Sequence, residues 1–193
     1  MNITSPVTYQ IIRGVLSSRQ FTQVDIQKKT GHSKGQISKV TKWLITRKFV
    51  EKRKKGYYLL DPAGLIAVFP LFRSMQELLL CRIPLRAEKE KILHLLPKDS
   101  IRCLDSALEH YSTYFRSSRI CIYHDHPEQI QHLFEPYAGG ILDLEIYQPD
   151  MHLHNDVKQG MTTPLRTVID MTCDGKTYAA KDLFEQLWGI KFE

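Results

Sequence analysis

Residues 33–60 read SKGQISKVTKWLITRKFVEKRKKGYYLL, an amphipathic helix running straight into a basic β-hairpin. Ser33 is placed to cap the helix, and Ile37, Val40 and Leu44 then recur at helical spacing and face inward with Ile45. The outward face carries Lys34, Gln36, Ser38, Lys39 and Lys42, all able to hydrogen-bond phosphates or base edges. Gln36 stands three residues after Ser33, so it either completes a capping box or reads a base, and both readings stay open. Gly35 is either a point of close backbone approach or a tolerated small residue in the first turn. Trp43 is expected to pack under the hairpin. Phe49–Arg53 and Tyr57–Leu60 are expected to pair across a turn of Lys54, Lys55 and Gly56. Arg47, Lys48, Lys52, Arg53, Lys54 and Lys55 place six basic residues within nine positions. Arg53, Lys54 and Lys55, at the hairpin tip, suit a phosphate backbone.

The residues before this stretch supply its other half. Ser5-Pro6 marks a helix start, with Ile11, Ile12, Val15 and Leu16 as its apolar face. Thr22 caps a second helix with Asp25 three positions on, Phe21 and Ile26 take the staple positions, and Gly31 ends it. Two short helices joined through a glycine turn and followed by a hairpin predict a winged helix-turn-helix over residues 1–69.

Charge follows the same division. Up to Asp61, thirteen Lys and Arg stand against three Asp and Glu, so this third carries +10 of a whole-chain +6 and the rest carries −4. A basic module joined to a mildly acidic one implies that the first meets a polyanion, the plain alternative being a solvated basic face. At 42% hydrophobic and 25% charged residues, the chain has the composition of a soluble globular protein. The N-terminus lacks an apolar signal region. The longest apolar stretch, Leu65 to Phe72, is short and contains Pro70, so no membrane span and a cytoplasmic location are expected. Cys81, Cys103, Cys121 and Cys173 form no C-x-x-C pair and read as reduced core thiols.

Beyond the hairpin, Asp61-Pro62 opens a helix through Phe69. Leu71–Cys81 and Ala87–Leu96 also read as helical, split by Pro84, so residues 70–99 are expected to form a helical connector. Leu78, Leu79, Leu80, Ile92, Leu95 and Leu96 offer either a homodimer or interdomain contact or ordinary core. Residues 100–193 alternate: a helix over Ile101–Tyr114, a strand at Arg119–Tyr123, a helix from Pro127 to Phe134, and a strand at Ile141–Tyr147. Two closing helices follow, from Thr163-Pro164 and from Thr177. The fold class expected is α+β, with a winged helix-turn-helix, a helical connector and a small C-terminal α/β domain.

Two histidine pairs, His124 with His126 and His152 with His154, have Asp125, Asp150 and Asp156 near them in sequence. They read either as metal ligands or as loop residues at strand ends, and their spacing matches no zinc pattern. Asp143 and Glu145 share a strand face as nuclease carboxylates do, but Tyr147 stands where that pattern needs a lysine. There is no phosphate-binding glycine loop and no nucleophile elbow. No catalytic residue, metal ligand or cofactor is therefore expected.

The N-terminal module resembles winged-helix regulators broadly, the MarR-like group included. The order beyond it resembles the AbiEi-like antitoxins and related regulators of viral defence systems. The resemblance is carried by SALEHYSTYF before a strand and by TTPLRTVIDMTCDGKTYAAKDLFEQLW at the end, above all Pro164, Asp170, Gly175 and Ala179-Ala180. It implies a DNA-binding repressor of its own operon, the antitoxin of a type IV toxin-antitoxin system, whose partner is a nucleotidyltransferase-like toxin encoded nearby. The reading taken forward is a sequence-specific double-stranded DNA-binding transcriptional regulator. The alternatives are a metal-dependent nuclease or replication protein targeted by the winged helix, and a protein-interaction adaptor.

Overall fold

The structure, a computed structural model, describes residues 5–71 and 73–191 and divides into two compact units, Met1–Arg73 and Ser74–Glu193. The described residues form a mixed α+β protein with two sheets.

In the first unit, α1 (Pro6–Leu16) starts where the Ser5 side chain accepts from the Thr8 N–H, with Pro6 at the first helical position. A two-residue strand, β1 (Gln20–Phe21), leads into α2 (Gln23–Thr30), which opens on a reciprocal Thr22–Asp25 capping box. Gly31 adopts the left-handed conformation (φ 71°) that ends α2, and α3 (Lys34–Thr46) starts at Ser33. β2 (Val50–Arg53) and β3 (Gly56–Leu59) pair antiparallel, and β1 joins the free side of β3. Gly56 has φ 135°, and a Cβ there would meet the Phe21 carbonyl at 2.6 Å, so the hairpin turn requires glycine. α4 (Pro62–Ile66) is capped by Asp61, and a 3₁₀ turn at Phe69–Leu71 follows. Ile12, Ile26, Ile37, Leu44, Leu59 and Leu65 are fully buried, each stabilising the unit by about 1.5–3 kcal/mol. Phe69 closes this core edge-on against Tyr9, centroids 5.3 Å apart.

The second unit runs α5 (Met75–Leu78), β4 (Leu79–Leu85), α6 (Lys89–Leu95), β5 (Ile101–Arg102), α7 (Leu104–Tyr111), β6 (Arg119–Tyr123), α8 (Pro127–Phe134), β7 (Leu142–Tyr147), β8 (Val157–Lys158), β9 (Met161–Thr162), α9 (Pro164–Cys173) and α10 (Lys181–Trp188). Its six strands lie in the order β4-β7-β6-β5-β9-β8. β6 and β7 are parallel, with α8 as the crossover, and β4 runs antiparallel to β7.

Three expectations are corrected here. The helical connector over residues 70–99 gives way at Leu79–Leu85 to a strand: Leu79, Cys81, Ile83 and Leu85 pair with Tyr147, Ile146, Leu144 and Leu142. Pro84 is tolerated because β4 is an edge strand that needs no donor there. The second unit therefore starts at Ser74 rather than residue 100, and Phe72, within the helix expected from Leu71, lies outside the described residues. Ile101 and Arg102 are not the start of a helix; they pair with β6 and β9, and α7 begins at Leu104. The last helix begins at Lys181, after a 3₁₀ turn at Thr177–Ala180.

The sheet has two unlike faces. Ile120, Ile122, Leu144 and Ile146 pack with Leu85, with Ile92 of α6 and with Ile130 and Phe134 of α8. On the other face stand Arg119, Cys121, Tyr123, Glu145 and Tyr147, a layer of buried charge and hydroxyls. Glu145 is fully buried between Arg119 (2.9 Å) and Arg82 (2.5 Å), and accepts from the Tyr147 hydroxyl at 2.7 Å. Arg119 also donates to Asp105 and Asp174, at 2.7 and 3.1 Å. Burial alone would raise the Asp105 carboxyl, but hydrogen bonds from Arg119 and Ser117 overcome it and hold the group below its ordinary value. Burial pushes the Cys121 thiol well up and, with Cys121 and Glu145 beside it, raises the Tyr147 phenol, so neither is a nucleophile near neutral pH. Among the described residues no cysteine is in a disulfide; Cys103 and Cys121 are buried, Cys81 and Cys173 half-buried. No helix among the described residues is long and apolar enough to cross a membrane.

The loop from α8 to β7 folds over the end of β4, with Gly139 N–H donating to the Pro84 carbonyl at 2.8 Å. A Cβ on Gly140 would overlap the Leu85 carbonyl, which is backbone and cannot swing aside. Gly140→Ala is expected to lower the stability of this unit by at least about 1–3 kcal/mol in urea unfolding. A midpoint unchanged from the parent would mean the loop sits elsewhere.

Candidate functional site

The basic residues of the first unit converge on α3 and the hairpin. α3 buries Ile37, Val40, Thr41 and Leu44, and this fixes which side chains face out. Lys34, Gly35, Gln36, Lys39 and Lys42 are exposed, and Ser38 is half-buried. At 100° per residue, Gly35, Lys39, Lys42 and Thr46 form one ridge opposite the core, with Lys34 and Gln36 on its flanks. No acidic residue interrupts α3. A Cβ on Gly35 would meet nothing within 4 Å, so nothing inside the protein requires glycine there.

Two of the expected site residues are engaged in the fold. Gln36 Oε1 accepts from the Ser33 N–H (3.1 Å) and hydroxyl (3.0 Å), while Ser33 Oγ accepts from the Gln36 N–H. The capping box is formed, and the Gln36 side chain is spent on the helix start in this state. Arg53 donates through Nε and Nη2 to Glu51 (3.2 and 3.1 Å), and its guanidinium lies 4.0 Å over the Tyr58 ring. Arg53 is therefore already engaged within the hairpin. Lys54 and Lys55, at the hairpin turn, are exposed.

The pairing Glu51↔Tyr58 and Gln20↔Tyr58 puts Glu51, Arg53, Tyr58 and Gln20 on one face of this sheet. Arg19, exposed just before β1, lies 5.6 Å from the same Tyr58 ring. Arg19 and Tyr58 were not singled out from the sequence; the signal was a strand two residues long, too short to show a period. Trp43 meets Phe49, which leads into β2, at 5.9 Å, and Arg47 covers it at 5.7 Å. Lys48 takes a left-handed turn (φ 61°) between α3 and β2.

In the second unit the two histidine pairs lie beyond the ends of neighbouring parallel strands. His124, Asp125 and His126 follow the end of β6, and Asp150, His152 and His154 follow β7 in parallel. Among the described residues, no group of three or more His, Cys, Asp or Glu could hold a metal ion. Asp143 and Glu145 share a strand face, but Glu145 is clamped by two guanidiniums and a phenol, an arrangement that competes with metal ligation. Comparison of the chain with family models, with curated proteins and with solved structures gives no match.

Proposed function

We propose that this chain is a sequence-specific double-stranded DNA-binding transcriptional regulator, acting as a repressor through a winged helix-turn-helix at its N-terminus. α2 and α3 would form the helix-turn-helix pair and β2–β3 the wing. The observation that carries the reading is the acid-free exposed ridge of α3, Gly35, Lys39 and Lys42, backed by a fully buried opposite face. A helix held in this way presents a rigid cationic edge to a major groove, and Lys54 and Lys55 would meet the flanking phosphates. The resemblance to AbiEi-like antitoxins extends the proposal to a repressor of its own operon, paired with a nucleotidyltransferase-like toxin. The charge split, +10 against −4, supports the first unit as the part that would meet DNA.

The test is a genomic-fragment binding selection with footprinting at two salt concentrations, run beside a Gly35→Ala variant. Without a close partner, the added methyl favours the helix by up to about 1 kcal/mol. Against a groove, the same methyl obstructs backbone approach. Gly35→Ala is therefore expected to be at least as stable as the parent while binding its selected site several-fold more weakly. Equal binding by both proteins would remove Gly35 from the interface, and no enriched fragment at either salt would sink the regulator reading.

A further inference from the structure

Beyond the ends of the parallel strands β6 and β7 lies a cavity of about 260 Å³, lined by Asp99, Tyr123, His124, Asp125, Asp150 and Met151 among others. The carboxyl ends of parallel strands are where open α/β sheets leave room for ligands. The volume is below the usual range for a drug-sized molecule and suits a single flat ring system.

His124 is 3% exposed, and its ring is fixed: Nδ1 accepts the His126 N–H at 3.0 Å. In the neutral ring the proton is consequently on Nε2, which makes that atom a donor. Nε2 is buried and makes no hydrogen bond. Asp99 Oδ1 lies 3.5 Å from it, on a side chain that is 74% exposed. Asp125 adds a second exposed carboxylate, whereas Asp150 is already committed to Arg166. The cavity lining thus includes a residue with a buried N–H donor that has no hydrogen-bond partner, and an acceptor-only carboxylate 3.5 Å from that donor.

We propose that this cavity binds a guanine base. The guanine edge sets a carbonyl oxygen, which His124 Nε2–H would meet, beside two N–H donors that one carboxylate can take in parallel. Adenine and cytosine present a single amino donor on that edge and leave a carboxylate oxygen unmatched. The acidic lining disfavours an adjacent phosphate, so the nucleoside is the probe.

The experiment is ligand-observed NMR and calorimetry on the full chain with guanosine, adenosine, cytidine and uridine, followed by inosine. Guanosine is expected to bind at least tenfold more tightly than the other three, with inosine, which lacks the 2-amino group, weaker than guanosine. Asp99→Asn is expected to weaken guanosine at least fivefold and, because Asp99 is exposed, to leave the urea midpoint unchanged. Equal affinity for all four nucleosides, no guanosine binding at millimolar concentration, or an unaffected Asp99→Asn variant would each overturn the assignment. None of these outcomes bears on duplex binding by the first unit.

Discussion

Arg166→Leu is expected to destabilise the second unit by about 3–5 kcal/mol, the cost of breaking a buried ion pair by removing one partner. The Arg166 side chain is fully buried on α9, one turn before Asp170, to which its Nε donates at 2.8 Å. Its Nη2 donates to Asp150 and, at 3.2 Å, to the Tyr123 hydroxyl, while Nη1 lies 3.9 Å from Asp156. Tyr123 in turn donates to Asp170 at 2.9 Å. One guanidinium therefore faces three carboxylates, two of them with side chains no more than 1% exposed. Leucine fills part of the volume and supplies no cation. Since a domain is held by about 5–15 kcal/mol in total, this loss consumes much of it. Arg166→Lys keeps the charge but not the planar fork, and is expected to recover only part of the stability. Trp188 in α10 belongs to this unit and Trp43 to the other, so urea unfolding of a Trp43→Phe background reads the second unit alone. A loss under about 1 kcal/mol would mean that the carboxylates are compensated without Arg166.

This network shows what could and could not be read from the sequence. The capping boxes Thr22–Asp25 and Ser33–Gln36, the prolines at first helical positions and the inward stripes of α1 and α3 are local patterns, and each occurs where its spacing put it. The lysines of α3 were legible for the same reason: once the core face is fixed, the outward face follows. Arg53 was not, because its diversion to Glu51 and Tyr58 depends on strand register. β4 was misread because the run Leu78–Leu80 hid the alternation of Leu79, Cys81, Ile83 and Leu85. Strands of two residues, β1, β5, β8 and β9, carry no period at all. Nothing in the local pattern around Arg119 and Arg166 marks them as buried cations. Asp170 is one turn from Arg166 in α9, but Asp150, and the Arg119 partners Asp105, Glu145 and Asp174, come close only through the tertiary fold.

Replacing Lys39, Lys42, Lys54 and Lys55 together by alanine is expected to abolish tight duplex binding at physiological salt while leaving the fold intact. All four side chains are exposed, so each change should alter stability by no more than about 0.5 kcal/mol. Binding responds differently, because each neutralised phosphate releases counterions. With a slope of about −0.9 per phosphate, four lost contacts flatten the plot of log K against log salt by about 3 to 4 units. Between about 50 and 200 mM salt, the parent should therefore lose about 100-fold more affinity than the variant. The single changes separate the roles. Lys54→Ala should weaken all sequences alike, since on the proposed reading this hairpin lysine would meet phosphate. On the same reading, Lys39→Ala should also weaken binding but alter sequence preference, since its ridge would face the base edges. Arg53→Ala should cost less than Lys54→Ala, because Glu51 and Tyr58 already hold the guanidinium. Fluorescence anisotropy titrations across that salt range measure all of these. If the fourfold variant binds as tightly as the parent at moderate salt, the basic face of the first unit is only solvated and DNA is not its partner.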